Sequence, residues 1–203
     1  MTILKKNRTL KNTFDERTIT MTVSEKTLEK LYGANAVDMQ KARYEAAVKS
    51  FEDIYGKADN IRLFSAPGRT EVGGNHTDHN RGCVMAAAVG LDVIAVVSPC
   101  EGSVVSVKSE GFPEDVVDIS DLEIKENEKN SSAALIRGVA AGFKNAGYDV
   151  CGFKAYTTSN VLKGSGLSSS AAFEVLIGTI FSHLCNGGKV SAVKIAQIAQ
   201  YAE

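Results

Sequence analysis

The spacing of apolar residues divides the chain into a helical part, a strand-rich part and a mixed part. Residues 24–55 carry apolar residues at helical spacing, and Gly56 follows as a stop signal. Residues 1–20 show no such period and are typical of a loosely ordered arm. From residue 60 the pattern changes to short segments rich in β-branched residues, which predict strands. These segments are IRLFSAP, CVMAAAV, DVIAVVSP, SVVSVKS and EDVVDIS.

Helical spacing returns in the last third of the chain. Apolar periods predict helices over SAALIRGVAAGFKNAG, LSSSAAFEVLIGTIFSHLCN and SAVKIAQIAQYAE, with the strand CGFKAYTTS between the first two. Strands followed by helices, without strict alternation, predict an α+β layer domain.

Composition excludes several classes of partner. The 203 residues are 44% apolar and 23% charged, and the formal net charge is −1. This balance argues against nucleic acid or an anionic membrane held by bulk charge, and no apolar run is long enough to span a bilayer. The four cysteines form no C-x-x-C pair. We therefore expect free thiols in a reducing cytoplasm.

The segment GRTEVGGNHTDHNRG, residues 68–82, combines glycines with many polar side chains. Glycine allows tight turns and the close approach of a ligand, and clustered polar groups are costly to bury unless something pairs with them. The segment is either a busy surface loop or the binding site of a small polar molecule.

A second informative stretch, KGSGLSSSAAFEV, places a glycine-rich turn directly before a predicted helix. Unpaired N–H groups and the positive end of the helix dipole make such a terminus suitable for phosphate. Glu174 lies one helical turn beyond Ser170, and a hydroxyl with a carboxylate suits Mg²⁺. The alternative to a phosphate site is an ordinary loop that ends in a serine cap. The alternative to Glu174 as a Mg²⁺ ligand is an exposed glutamate in the first turn of the helix. Neither the P-loop nor the dinucleotide-binding pattern is satisfied.

Together the two stretches resemble a known family. SAPGRTEVGGNHTDHNRG resembles the galactokinase signature, and GSGLSSSAA resembles the phosphate loop of the wider GHMP kinases. FEDIYG, just upstream, resembles the segment that precedes the galactokinase signature. The resemblance extends from about Phe51 to the end of the chain.

The resemblance implies ATP-dependent phosphorylation of a sugar at its anomeric hydroxyl, with galactose as the substrate of the intact protein. Arg69 would stabilise charge beside the reacting hydroxyl, although a surface salt bridge is the alternative. His76 and Asp78 would hydrogen-bond sugar hydroxyls, and a loop-packing role is the alternative for His76. Ser170 and Glu174 would hold Mg²⁺. The ATP phosphates would be cradled by Gly164, Ser165, Gly166, Leu167, Ser168, Ser169 and Ser170.

The implied fold is the α+β N-terminal domain of GHMP kinases, a mostly antiparallel sheet with helices on one side. We assign it to residues 51–203, preceded by a helical N-terminal extension over residues 1–50.

Two departures from the family affect specificity. Asn75 stands where galactokinases usually carry a Glu that contacts the far hydroxyl of the sugar. Asn keeps hydrogen-bonding capacity but has no charge, so a kinase for galacturonic acid or an N-acetylated galactose is an alternative. In the helix whose aromatic residues flank adenine in galactokinases, Ser132 and Leu135 occupy the matching positions.

The third departure concerns catalysis. Galactokinases carry a candidate general base, an Asp, downstream of the phosphate loop and the following helix, and here no Asp follows Asp149. We therefore interpret the chain as an N-terminal part of a kinase that is inactive alone. A sugar and ATP sensor without turnover and a product with no function are the alternatives. We also expect the final helix to promote self-association through thinly covered residues, Val193, Ile195, Ala196 and Ile198.

Overall fold

The computed structural model describes residues 23–74, 83–162 and 164–203. In chain order the helices and strands are α1 (Glu25–Tyr32), α2 (Val37–Tyr55), β1 (Arg62–Gly73), β2 (Met85–Pro99), β3 (Val104–Ser109), β4 (Glu114–Asp118), α3 (Ser132–Asn145), β5 (Phe153–Ser159), α4 (Ser169–Cys185) and α5 (Ala192–Ala202). Short 3₁₀ turns lie at Ala34–Ala36 and Glu126–Glu128.

The five strands form one sheet in the order β1-β2-β5-β3-β4. Of the strand pairs described, β3 with β5 is parallel and the other three are antiparallel. The segments CVMAAAV and DVIAVVSP, predicted as separate strands, belong to the single long strand β2. The predicted α+β class with a mostly antiparallel sheet is confirmed.

One face of the sheet packs against α3, α4 and α5. Alternate residues of β2, such as Val93 and Ala95, point into this core together with Phe143 and Phe181. On α5, Ile195 and Ile198 are buried in the same core, so the expected thin cover was wrong for these two. Val193 is 70% exposed, and self-association stays a prediction.

The opposite face of the sheet is covered by α1 and α2. Leu28, Tyr44 and Phe51 from these helices meet the other alternate residues of the strands, including Leu63 and Ile94. Helix α2 continues through the boundary predicted after residue 50, and that division into two parts stays a prediction. In the part of the chain that is described, no helix is long and apolar enough to cross a membrane.

A buried carboxylate on β2 anchors α1 and α2 to the sheet. The guanidinium of Arg43 donates to Asp92 Oδ1 at 2.6 Å and to the Asp92 carbonyl at 3.1 Å. The Tyr32 hydroxyl donates to Asp92 Oδ2 at 2.5 Å, and the Ser65 hydroxyl donates to the same oxygen. The Tyr44 hydroxyl lies 3.0 Å from that of Tyr32. A charge on an otherwise apolar strand is tolerated because every carboxylate oxygen is hydrogen-bonded.

The expectation of free thiols was wrong for two of the four cysteines. Cys151, just before β5, forms a disulfide with Cys185 at the end of α4, whereas Cys83 and Cys100 are free. The pairing joins residues separated by 34 positions, which the fold brings together and local spacing does not reveal. The cytoplasmic location stays a prediction.

Candidate functional site

The loop that precedes α4 contains three residues with a left-handed backbone. Gly164 and Gly166 have φ of 79° and 76°, and Ser168, which directly precedes α4, has φ of 56°. The left-handed region is easily adopted by glycine but costs about 1 kcal/mol or more for a residue with a Cβ. Strain of this kind at a non-glycine residue is typical of a ligand site.

The predicted phosphate-loop residues are divided between this loop and the first turn of α4. Ser169 and Ser170 are the first two residues of the helix, whose leading N–H groups have no partner within the helix. The Ser165 hydroxyl donates to the Leu162 carbonyl at 2.6 Å, which closes the turn. Leu167 packs against the main core and so fixes the loop to the sheet.

The loop is in direct contact with β1, the strand that carries the predicted catalytic arginine. The backbone N–H of Arg69 donates to the Leu167 carbonyl at 3.1 Å. A Cβ placed on Gly68 would lie 3.1 Å from the same carbonyl, so glycine permits this approach. Opposite Gly68 the sheet register is irregular, since Pro67 pairs with Asp92 whereas Arg69 pairs with Ala88.

A cavity of about 290 Å³ lies where β1, α4 and α5 meet. Arg69 and Ser168 line it together with small apolar residues, including Ala171, Val175 and Ala192. The Arg69 side chain is half-buried. The cavity therefore places a permanent positive charge beside Ser168, the strained residue that precedes α4.

The two predicted Mg²⁺ ligands have different surroundings. The Ser170 hydroxyl donates to Glu203 Oε1 at 2.9 Å on the exposed surface. Glu174 is only 1% exposed, and neither of its carboxylate oxygens has a hydrogen-bond partner. Burial, together with a smaller effect of the nearby Glu203 carboxylate, raises the pKa of Glu174 from 4.5 to about 7. The exposed oxygens of Ser170 and Glu203 fit a hard cation better than a buried carboxyl group whose raised pKa favours its neutral form.

Glu203 was not among the predicted site residues. It follows Ser170 by 33 positions, and only the packing of α5 brings it to the start of α4. Within the described residues no group of three or more His, Cys, Asp or Glu side chains is placed to hold a metal.

A buried ion pair connects the middle of α3 to the 3₁₀ turn that precedes the helix. Arg137 makes two hydrogen bonds to the Glu128 carboxylate, at 2.8 and 2.7 Å, and donates to the Asp118 carbonyl at 2.8 Å. At the positions matched to the adenine-flanking residues, the Ser132 hydroxyl donates to Asp115 Oδ2 at 2.5 Å and Leu135 is half-buried.

The predicted sugar-binding residues Asn75, His76 and Asp78 lie outside the described residues. Their flanks are described: β1 ends at Gly73 and β2 begins at Met85, and these two residues pair in the sheet. Gly73 and Met85 therefore lie side by side at one end of the β1–β2 hairpin.

Two family models match the chain in the expected order. The galactokinase galactose-binding signature matches residues 49–99, and the GHMP kinases N terminal domain matches residues 133–203. Galactokinase from Clostridium tetani is 33% identical over 155 residues, which are 76% of this chain and 39% of that protein. Galactokinase from Bacillus subtilis is 32% identical over 155 residues, with 75% and 40% covered.

Solved structures show the same fold. The crystal structure of Lactococcus lactis galactokinase complexed with galactose matches with a TM-score of 0.72 and 28% identity, covering 78% of this chain and 41% of that one. Methanococcus jannaschii mevalonate kinase matches with a TM-score of 0.59 at 13% identity, covering 72% and 47%, which supports the fold alone. The chain belongs to the GHMP kinase superfamily and, within it, to the galactokinase family. It spans about 40% of the length of the relatives it matches.

Proposed function

We propose that the protein to which this chain belongs transfers the γ-phosphoryl group of ATP to the anomeric hydroxyl of galactose or a closely related sugar. The hydrogen bond from Arg69 N–H to the Leu167 carbonyl carries the proposal. It holds the strand of the galactose-binding signature directly against the phosphate loop. Phosphoryl transfer depends mainly on positioning and charge stabilisation. This contact would supply the positioning, and the Arg69 guanidinium, which lines the same cavity as Ser168, would supply the charge.

Arg69 is proposed to stabilise negative charge on the transferred group. Its guanidinium stays charged at all relevant pH values and offers paired donors that match phosphate oxygens. It also lines the cavity that Ser168 borders. Asn75, His76 and Asp78 are proposed to orient the sugar hydroxyls, as the resemblance to galactokinases implies.

The phosphates are proposed to lie on the loop from Gly164 to Ser170, against the N-terminus of α4. Ser170 and Glu203 would hold the Mg²⁺ that accompanies ATP, which when bound neutralises part of the phosphate charge. The prediction that Glu174 is a ligand stays a prediction, and its burial argues for Glu203 in that role. Ser132 and Leu135 are proposed to border the adenine ring.

The 203-residue chain by itself is proposed to bind ATP and sugar without turnover. Within these residues no Asp follows Asp149, and the family's candidate general base lies downstream of the helix that corresponds to α5. Binding without turnover is also the property of a sensor. The two functions therefore differ only in the activity of a longer protein that includes this chain.

Calorimetric titration of the chain tests the proposal. ATP with Mg²⁺ is titrated with and without galactose, galacturonic acid or N-acetylgalactosamine, and a coupled assay measures turnover in parallel. We expect ATP binding, a preference for one sugar, and loss of most ATP affinity in Arg69→Met. Arg62→Met is the matched control because Arg62 is exposed at the other end of β1 and bonds the His183 carbonyl. Equal ATP affinity in the two variants would contradict the role of Arg69.

A further inference from the structure

A glycine on α3 determines how closely the end of α5 approaches. A Cβ placed on Gly138 would lie 2.9 Å from Ala202 Cβ, 3.1 Å from Ala202 Cα and 3.2 Å from the Ala202 carbonyl oxygen. Carbon atoms of packed proteins are close to van der Waals contact already, so a methyl group here would require the backbone of α5 to move.

Glycine in the interior of a helix is unfavourable relative to alanine because it increases the entropy lost on folding. Gly138 lies in the middle of α3 and has no left-handed backbone that would explain it. The approach of Ala202 is therefore the described feature that requires glycine at this position.

This contact is next to the proposed cation ligands. Ala202 directly precedes Glu203, whose carboxylate accepts the hydrogen bond from Ser170 on α4. The position of the Glu203 backbone thus depends on how far Ala202 stands from α3. Moving that backbone changes the separation of the carboxylate from the Ser170 hydroxyl.

We propose that Gly138 is a positioning residue that sets the spacing of Glu203 and Ser170 for Mg²⁺ bound with nucleotide. The inference rests on the proposed function, because it concerns the cation that accompanies ATP. Mg²⁺ requires near-ideal octahedral geometry with short ligand distances, so a displacement of well under 1 Å is sufficient to weaken the site.

A second glycine of α3 provides a matched control. A Cβ on Gly142 would lie 2.6 Å from Ile198 Cγ2, which is a side-chain methyl and not helix backbone. Gly142 is one turn further from Glu203. Gly142→Ala should therefore reduce stability without changing the cation-dependent part of nucleotide binding.

The test measures ATP affinity by calorimetry in excess Mg²⁺ and in excess EDTA, and the ratio of the two affinities is the readout. A general loss of packing would weaken both affinities together and leave the ratio unchanged. We expect Gly138→Ala to lower the ratio about tenfold, because Mg²⁺ tolerates little departure from its octahedral geometry and short ligand distances. Gly142→Ala should keep the ratio, and Ala202→Gly in the Gly138→Ala background should restore it.

Each outcome decides the inference. If Gly138→Ala fails to fold, Ala202→Ser is the second variant. It adds an atom to α5 at the same contact, should displace α5 by a smaller distance, and should lower the same ratio. An unchanged ratio in a folded variant, or no recovery in the double variant, overturns the role of Gly138 and leaves the proposed function intact. Absence of ATP binding to the unsubstituted chain overturns both. Binding that is equal in Mg²⁺ and EDTA overturns the inference but leaves nucleotide binding standing.

Discussion

Replacing Asp92 by asparagine should remove a large part of the stability of the domain. The Asp92 side chain is 4% exposed, and that of its partner Arg43 is 14% exposed. Asparagine keeps the shape but leaves the guanidinium without its counter-charge. Its NH₂ group must also face the donors of Tyr32, Ser65 or Arg43, all of which point at this carboxylate. Two unfavourable changes therefore occur at one buried position.

The size of the loss follows from the burial of the pair. Removing one partner of a buried ion pair typically costs about 3–5 kcal/mol, and domains of this size are stable by only about 5–15 kcal/mol. With a urea dependence of about 2 kcal/mol per molar, the unfolding midpoint of Asp92→Asn should fall by about 2 M. Far-UV circular dichroism is the assay, because the chain contains no Trp.

Asp53→Asn is the matched control. Asp53 also pairs with a cation, Lys49, at 2.9 Å, but its side chain is 63% exposed. Exposed pairs of this kind contribute about 0–1 kcal/mol, so this variant should unfold close to the unsubstituted chain. If the unfolding midpoint of Asp92→Asn shifts as little as that of Asp53→Asn, the buried ion pair does not stabilise the domain. Recovery of stability in Asp92→Leu/Arg43→Met would support it, since apolar replacement of both partners removes the unpaired charge.

Three further predictions concern stability. Replacing both Cys151 and Cys185 by serine should lower the free energy of unfolding by about 4 kcal/mol, since the disulfide closes a loop of 34 residues. Urea unfolding with and without reductant measures this loss. Ser168→Gly should raise thermal stability by about 1 kcal/mol, because it removes the cost of φ at 56°, while ATP affinity falls with the lost hydroxyl. Burial raises the pKa of Glu174 from 4.5 to about 7, so the native state keeps a proton that the unfolded chain loses. Stability should therefore fall by about 3 kcal/mol as pH rises from about 4.5 to about 7, and Glu174→Gln should remove most of that slope; an identical pH profile in the variant would contradict it.

The parts of the fold that depend on local pattern were predictable. Apolar spacing predicted the helices and the strand-rich region, and the glycines before a serine-rich helix predicted the loop from Gly164 to Ser170. One strand was divided wrongly, because AVGLD places Gly90 inside β2, where the register with β1 is irregular. A glycine between two apolar segments usually indicates a turn, but here the backbone continues as one strand.

The parts that depend on distant partners were not predictable from pattern. Asp92 is 60 residues from Tyr32 and 49 from Arg43, and neither spacing has a local signature. The same holds for the disulfide and for Glu203, which reaches Ser170 only because α5 packs closely on α3. Glu174 lies one helical turn after Ser170, as expected of a ligand. Its burial depends on tertiary packing, which helical spacing does not predict.

We propose that the loop from Gly164 to Ser170 and β1 form one nucleotide site in this chain. Amide chemical-shift mapping by NMR locates this site, with ATP and Mg²⁺ titrated into labelled protein of 21.6 kDa. We expect small shifts in α1 and the largest shifts at the loop residues Gly164, Gly166 and Ser168, at Arg69 and at Glu203. No shifts at the loop, or the largest shifts on the α1–α2 face of the sheet, would contradict it.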